Sequence, residues 1–233
     1  MSDTDGSSSI FISPHLDDAV LSCGRLMACR EGVTVVTALA GSPTSWDEPT
    51  GWDAECGFHP GDDVVAARLS EDRAALDLLH ARQRWVEGLD GQYGPQTGRS
   101  GIIRAGIESA LVELEPRSCA IPLGLQHPDH IEVRRVALQV AARTHSSTAW
   151  TVYEELPYGP NDRSGRFHDE ALSAFAAAGF VLTELQPELD PTMRTKSAAV
   201  ECYVSQLGAL RRFNPNFDED IVIERHWSLE LRR

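Results

Sequence analysis

The chain has 233 residues, five cysteines and a formal net charge of −14. A chain of this length buries roughly 70–75% of its unfolded surface and needs no disulfide staples. So acidic a balance disfavours nucleic acid and anionic membrane as partners, since both require a basic face, and leaves neutral or cationic small molecules and metal ions.

The cysteines, Cys23, Cys29, Cys56, Cys119 and Cys202, are odd in number and form no C-x-x-C pair. That pattern argues against a disulfide framework or a cysteine-type zinc site, and for reduced thiols in a cytoplasmic protein. Residues 1–8 are polar and acidic, with neither the basic nor the apolar region of a signal peptide, and read as a disordered tail. No apolar run approaches a membrane span.

In chain order, residues 9–13 are expected to form a strand, followed by a helix from Asp17 or Asp18 to about residue 30, with acidic residues in its first turn. The apolar, β-branched run at 33–40 predicts a strand covered on both faces. A long loop at 41–63 leads to a helix at 64–80 with an apolar stripe of Val65, Leu69, Leu76 and Leu79. A short strand at 84–89 runs into a turn at 90–95, and a helix at 102–114 stops at Pro116. A strand at 119–123, a loop at 124–130 and a helix at 131–144 come next. A strand at 149–155, a helix at 169–178 ending at Gly179, a strand at 180–185, a long helix at 192–212 and a strand at 221–227 complete the pattern. Alternating strands and helices predict one α/β domain over 9–233 with helices on both faces of a mostly parallel sheet.

In such sheets ligands sit outside the carboxyl ends of the strands. Two His/Asp clusters fall there: His15 to Asp18 after the first strand, and His127 to His130 after the strand at 119–123. His15 and Asp18 can aim at one point, and His130 can supply a third ligand. Two imidazoles and a carboxylate leave a position open for water, the mark of a catalytic zinc site; the same donors also suit one divalent iron. Asp17, beside the ligands but diverging from them, is a candidate general base. His127, when protonated, is a candidate to stabilise an oxyanion or protonate a leaving amine, with Asp129 holding its ring. A further His/Asp run at 58–63 follows no strand, and its carboxylates suit helix capping.

These residues resemble a family. Pro14-His15-Leu16-Asp17-Asp18 is similar to the P-H-P-D-D motif of the PIG-L/LmbE-like zinc-dependent N-deacetylases, and His127-Pro128-Asp129-His130 to their H-x-D-H motif. Arg68, Glu71 and the apolar residues up to Leu79, the turn at Leu89-Asp90-Gly91, and a Lys…Gln pattern at 196–206 extend the likeness. The resemblance implies a Rossmann-like α/β fold and hydrolysis of an acetamido group on an N-acetylglucosamine conjugate. It implies zinc on His15, Asp18 and His130, Asp17 as base, His127 at the oxyanion with Asp129 behind it, and Arg68 and Asp90 at the sugar. Leu16 and Ala19 depart from the usual Pro and Glu, and Leu125 stands where some relatives carry a Tyr, so Tyr93, Tyr153 or Tyr158 must reach in if a Tyr assists.

The leading expectation is therefore a cytoplasmic deacetylase for a small-molecule N-acetylated sugar conjugate, with no nucleic-acid or membrane partner and no oligomeric state implied. The alternatives are an amidase for a bulkier acyl group, its size set by residues 41–63 and 154–160, and a noncatalytic sugar-binding protein on the same fold. Trp46 and Trp52 either stack on the sugar or pack the loop, and Glu154 and Glu155 either line the pocket or simply end a strand. No G-x-G-x-x-G follows the first strand, which argues against nucleotide binding.

Overall fold

The structure, a computed structural model, describes residues 8–144 and 147–232. The tail expected at 1–8 lies outside them except for Ser8, whose Oγ donates to the Leu114 carbonyl at 3.2 Å. The strands are β1 (Ser9–Ser13), β2 (Val33–Thr37), β3 (Arg82–Trp85), β4 (Ser118–Pro122), β5 (Ala149–Tyr153), β6 (Phe180–Leu185) and β7 (His226–Leu231). They form one sheet in the order β3-β2-β1-β4-β5-β7-β6. The first five run parallel, while β7 pairs antiparallel with both β5 and β6.

The helices are α1 (Asp18–Ala28), α2 (Gly51–Glu55), α3 (Val64–Leu78), α4 (Arg99–Leu114), α5 (Pro128–Ala141), α6 (Tyr158–Asn161), α7 (Arg166–Ala177), α8 (Arg194–Val200), α9 (Val204–Phe213) and α10 (Phe217–Asp220). Side chains on a strand point alternately to opposite faces, so β1 feeds two cores. Ile10 and Ile12 join the core beneath α4, α5 and α7, whereas Phe11 joins the one beneath α1, α3, α8 and α9. Burying each such side chain contributes roughly 1.5–3 kcal/mol.

Several boundaries differ from expectation. The long helix expected at 192–212 is broken into α8 and α9. Glu71 of α3 accepts from the Ser205 N–H and hydroxyl, each at 2.8 Å, and the Tyr203 hydroxyl donates to Asp72 at 3.0 Å. Side chains of another helix thus satisfy the donors of the break, which no local signal announces. Helix α5 begins at Pro128 rather than 131, because a proline suits the first helical position. The last strand starts at His226 rather than 221, after α10. Loop 41–63 contains α2, capped by Thr50. Among the described residues no helix is long and apolar enough to cross a membrane.

The sheet order reverses between β1 and β4, and that switch point opens a crevice at their carboxyl ends. Both His/Asp clusters leave the sheet there.

Candidate metal centre

At the end of β1 the chain turns sharply into α1. The Ser13 hydroxyl donates to the His15 carbonyl at 2.5 Å and accepts from the Ala19 N–H at 3.0 Å. Ser13 therefore does the work of a helix cap. Asp18 accepts from the His15 N–H at 2.8 Å, and Asp17, although at the N-cap, makes no capping bond with its side chain. The two aspartates are therefore not spent on capping alone.

At the end of β4, His127 is the N-cap of α5. Its Nδ1 accepts from the Asp129 N–H at 3.3 Å. With Nδ1 accepting, the ring hydrogen sits on Nε2. His130 falls in the first turn of α5 and is fully buried.

The two turns bring three ligand atoms together. His15 Nδ1 lies 3.3 Å from Asp18 Oδ2, His130 Nε2 lies 3.2 Å from the same oxygen, and the two nitrogens are 3.3 Å apart. A tetrahedral ion with bonds of roughly 2.0–2.1 Å spans face edges of about 3.3 Å. The far side of each imidazole faces another carboxylate. His15 Nε2 is 3.2 Å from Asp129 Oδ2, and His130 Nδ1 is 3.2 Å from Glu155 Oε1. Both carboxylates also accept backbone N–H groups, from Gly91 and from Gly124 and Leu125. They are acceptors, so the imidazoles donate to them and turn their lone pairs towards Asp18. Three lone pairs converging on one buried point repel unless a cation stands among them. His15, Asp18 and His130 therefore fit a divalent metal ion.

The titration behaviour agrees. Burial alone would lower both histidines, but Asp90, Asp129 and Asp18 hold His15 well above its ordinary value, and Asp18 and Glu155 push His130 up to about 9. Burial works against Asp18, yet His130 and His15 hold it well below the usual carboxylate range. The cluster thus demands positive charge. Asp17 goes the other way: burial and the neighbouring Asp18 raise it, against Arg68 and His15. His127 is pushed down to about 4 by burial, His15 and His130.

The expected tie between Asp129 and the His127 ring is corrected. The Asp129 side chain turns to His15, the Gly91 N–H and Arg99 Nη1 at 2.9 Å, and only its backbone N–H meets His127. Burial works against the Asp129 carboxylate, but His15 first, then the Gly91 N–H and Arg99, hold it far below its ordinary pKa. Burial and the neighbouring imidazoles thus disfavour the imidazolium expected of His127, whose Nδ1 accepts the Asp129 N–H.

A cleft of about 490 Å³ opens over the triangle. Arg68 and Asp90 both line it. The Arg68 guanidinium lies 3.9 Å from Asp17 and 3.7 Å from Asp90, and its Nε has no hydrogen-bond partner among the described residues. Trp52 lines the cleft and donates to Gln206 at 2.8 Å, while Trp46 packs edge-to-face on Tyr93. Of the three tyrosines, Tyr158 reaches in, 4.9 Å ring to ring from His130; the Tyr153 hydroxyl is spent on the Ile12 carbonyl. Lys196 is not in the cleft. It is fully buried in a 2.7 Å ion pair with Glu224. The run at 58–63 is structural, with Asp63 capping α3 through the Ala66 N–H. Glu155, left open by the sequence between pocket lining and strand end, lies against His130, and Gln206 of the Lys…Gln pattern lines the cleft. Sequence reading missed Arg99, which holds Asp129, and Phe213, which lines the cleft; neither belongs to a motif.

The comparisons agree with this geometry. The family model described as GlcNAc-PI de-N-acetylase, PIG-L, matches residues 10–141. Comparison with the curated proteins gives no match. Among solved structures, the A40926 pseudoaglycone deacetylase Dbv21 is 28% identical with a TM-score of 0.80, over 98% of this chain and 99% of that one. The zinc-inhibited form of teicoplanin deacetylase Orf2 is 26% identical with a TM-score of 0.74, over 96% and 98%. A deacetylase-teicoplanin complex is 25% identical with a TM-score of 0.73, over 97% and 99%. With its two motifs meeting at one sheet edge, the chain belongs to the PIG-L family of de-N-acetylases and is a metal-dependent N-deacetylase.

Proposed function

We propose that the chain, working as one unit over 9–233 in the cytoplasm, removes the acetyl group from an N-acetylglucosamine-type sugar carried on a larger small molecule. The ion is zinc, held by His15, Asp18 and His130. The observation that carries this reading is the convergence of three lone pairs, 3.2–3.3 Å apart, at the floor of a cleft. When bound, zinc supplies Lewis acidity, lowering the pKa of water and polarising a carbonyl.

The chain's own groups do the rest. Asp17 takes a proton from the attacking water, its basicity raised by burial and Asp18. Water oxygen adds to the acetamide carbon, and the His127 Nε2–H donates to the oxyanion that develops. The C–N bond then breaks, Asp17 returns the proton to the leaving amine, and acetate departs. His15 keeps its orientation through Asp129. Arg68 and Asp90 hold sugar hydroxyls, and Trp52 offers its ring as a wall. Five free cysteines support a reducing compartment.

The neighbours are named for deacetylation of A40926 pseudoaglycone and for a teicoplanin complex, which supports a glycoconjugate with a bulky aglycone. One observation favours a second reading, an amidase for a larger acyl group: Leu156, Pro157, Tyr158, Leu210 and Phe213 form an apolar wall. Acetate release from zinc-loaded protein, measured on free and conjugated N-acetylhexosaminides and on longer N-acyl analogues, decides between them. Release of the longer acid but not of acetate favours the amidase, and release from none overturns both.

A further inference from the structure

Glu155 lies two residues beyond β5 and has no exposed surface. One oxygen of its carboxylate carries all of the side chain's hydrogen bonds among the described residues. Oε1 accepts from the Gly124 N–H at 2.7 Å and the Leu125 N–H at 3.2 Å, and faces Nδ1 of His130 at 3.2 Å. Oε2 is buried and makes no hydrogen bond among the described residues. A buried carboxylate with one bare oxygen is costly unless a positive charge answers it. Two neighbours can answer it: the Arg134 guanidinium, which interacts with Glu155 electrostatically from the same turn, and a cation among the triangle's ligand atoms, one imidazole away.

The same oxygen anchors the turn that presents His127. Gly124 sits at φ +77°, in the left-handed region where a side chain is strained. Glu155 holds the N–H side of this turn. On the carbonyl side, Arg134 Nη1 donates to Leu123 at 3.2 Å and to Gly124 at 3.0 Å. His127 follows Gly124 by three residues, and its own N–H returns to the Leu125 carbonyl at 2.5 Å.

We propose that Glu155 is a positioning residue with two tasks: it keeps the hydrogen of His130 on Nδ1, so that Nε2 faces the metal, and it fixes the turn that aims His127 across the cleft. One carboxylate thereby couples a ligand to the oxyanion-side donor. Only the kinetic arm of the test rests on the deacetylase reading.

The test compares the full chain with E155Q and E155A. E155Q keeps the size of the side chain but offers the two backbone N–H groups and the imidazole only a neutral amide, a weaker acceptor than the carboxylate; E155A loses the acceptor altogether. Zinc is titrated into metal-free protein by calorimetry, the cobalt-substituted protein is examined by visible absorption, and kcat and KM are taken from acetate release. E155Q is expected to stay folded, to bind zinc about tenfold more weakly, to shift the cobalt bands, and to lose kcat with KM held. A folded E155A is expected to lose zinc affinity by up to about a hundredfold. If E155A does not fold, E155Q decides. An E155Q protein with wild-type zinc affinity, cobalt spectrum and kcat overturns the proposal. Zinc titration needs no substrate, so a wild type that releases no acetate overturns the functional reading while leaving the metal arm able to judge Glu155.

Discussion

The Asp129 carboxylate lies 3.2 Å from Nε2 of His15, a residue 114 positions earlier, and accepts the Gly91 N–H at 2.8 Å. The backbone reaches that carboxylate only because residue 91 has no side chain. A Cβ there sits 2.7 Å from Asp129 Oδ1. Gly91→Ala is expected to push Asp129 off His15 and weaken zinc binding by about tenfold, measured by metal titration. Unchanged affinity removes Asp129 from the support of His15.

Asp17 makes no capping bond and sits beside the ligands without joining the triangle. Asp17→Asn is therefore expected to keep its zinc and to lose about 10²–10⁴-fold in kcat. Metal content and acetate release are measured on the same sample, and full activity refutes the base assignment.

His130 gives one ring nitrogen to the triangle and the other to Glu155. His130→Ala is expected to leave the purified protein without stoichiometric zinc, read by elemental analysis. Wild-type zinc content means that the ligand set is wrong.

For His127 the expectation is different, because its ring faces the cleft and is not one of the triangle's corners. His127→Ala is expected to retain zinc and to lose about 10²–10³-fold in kcat, with KM changing far less. Steady-state kinetics with metal analysis distinguish this from loss of a ligand.

His168 is clamped between Glu154 at 2.6 Å and Asp162 at 2.8 Å, and Arg225 shares the same Glu154 oxygen. Burial lowers its pKa, but the two carboxylates outweigh that and hold it above its ordinary value. A raised folded value means that the clamp's contribution is complete below the unfolded pKa and fades as pH rises through the folded one. His168→Gln is expected to lower Tm by about 2–4 °C at pH 6 and by much less at pH 9. Equal losses at both pH values count against the clamp.

The sequence by itself determined the alternation of strands and helices and the two turns that carry His15 to Asp18 and His127 to His130. Both turns were legible because their signals are local: an apolar strand, then a cluster of polar residues, then a helical pattern. The capping role of Asp63 was equally local. Tertiary structure decided which residues meet. It joined two turns separated by more than a hundred residues, at the point where the sheet order reverses. It also moved Asp129 from His127 to His15, because Arg99 and the Gly91 N–H lie on that side. The late helix broke where Glu71 and Asp72 of another helix could satisfy it. Glu155 stayed open between pocket lining and strand end because nothing in its neighbourhood says that Gly124, Leu125 and His130 will surround one of its oxygens. Hydrogen bonds and charges act through space, and only the folded chain defines that space.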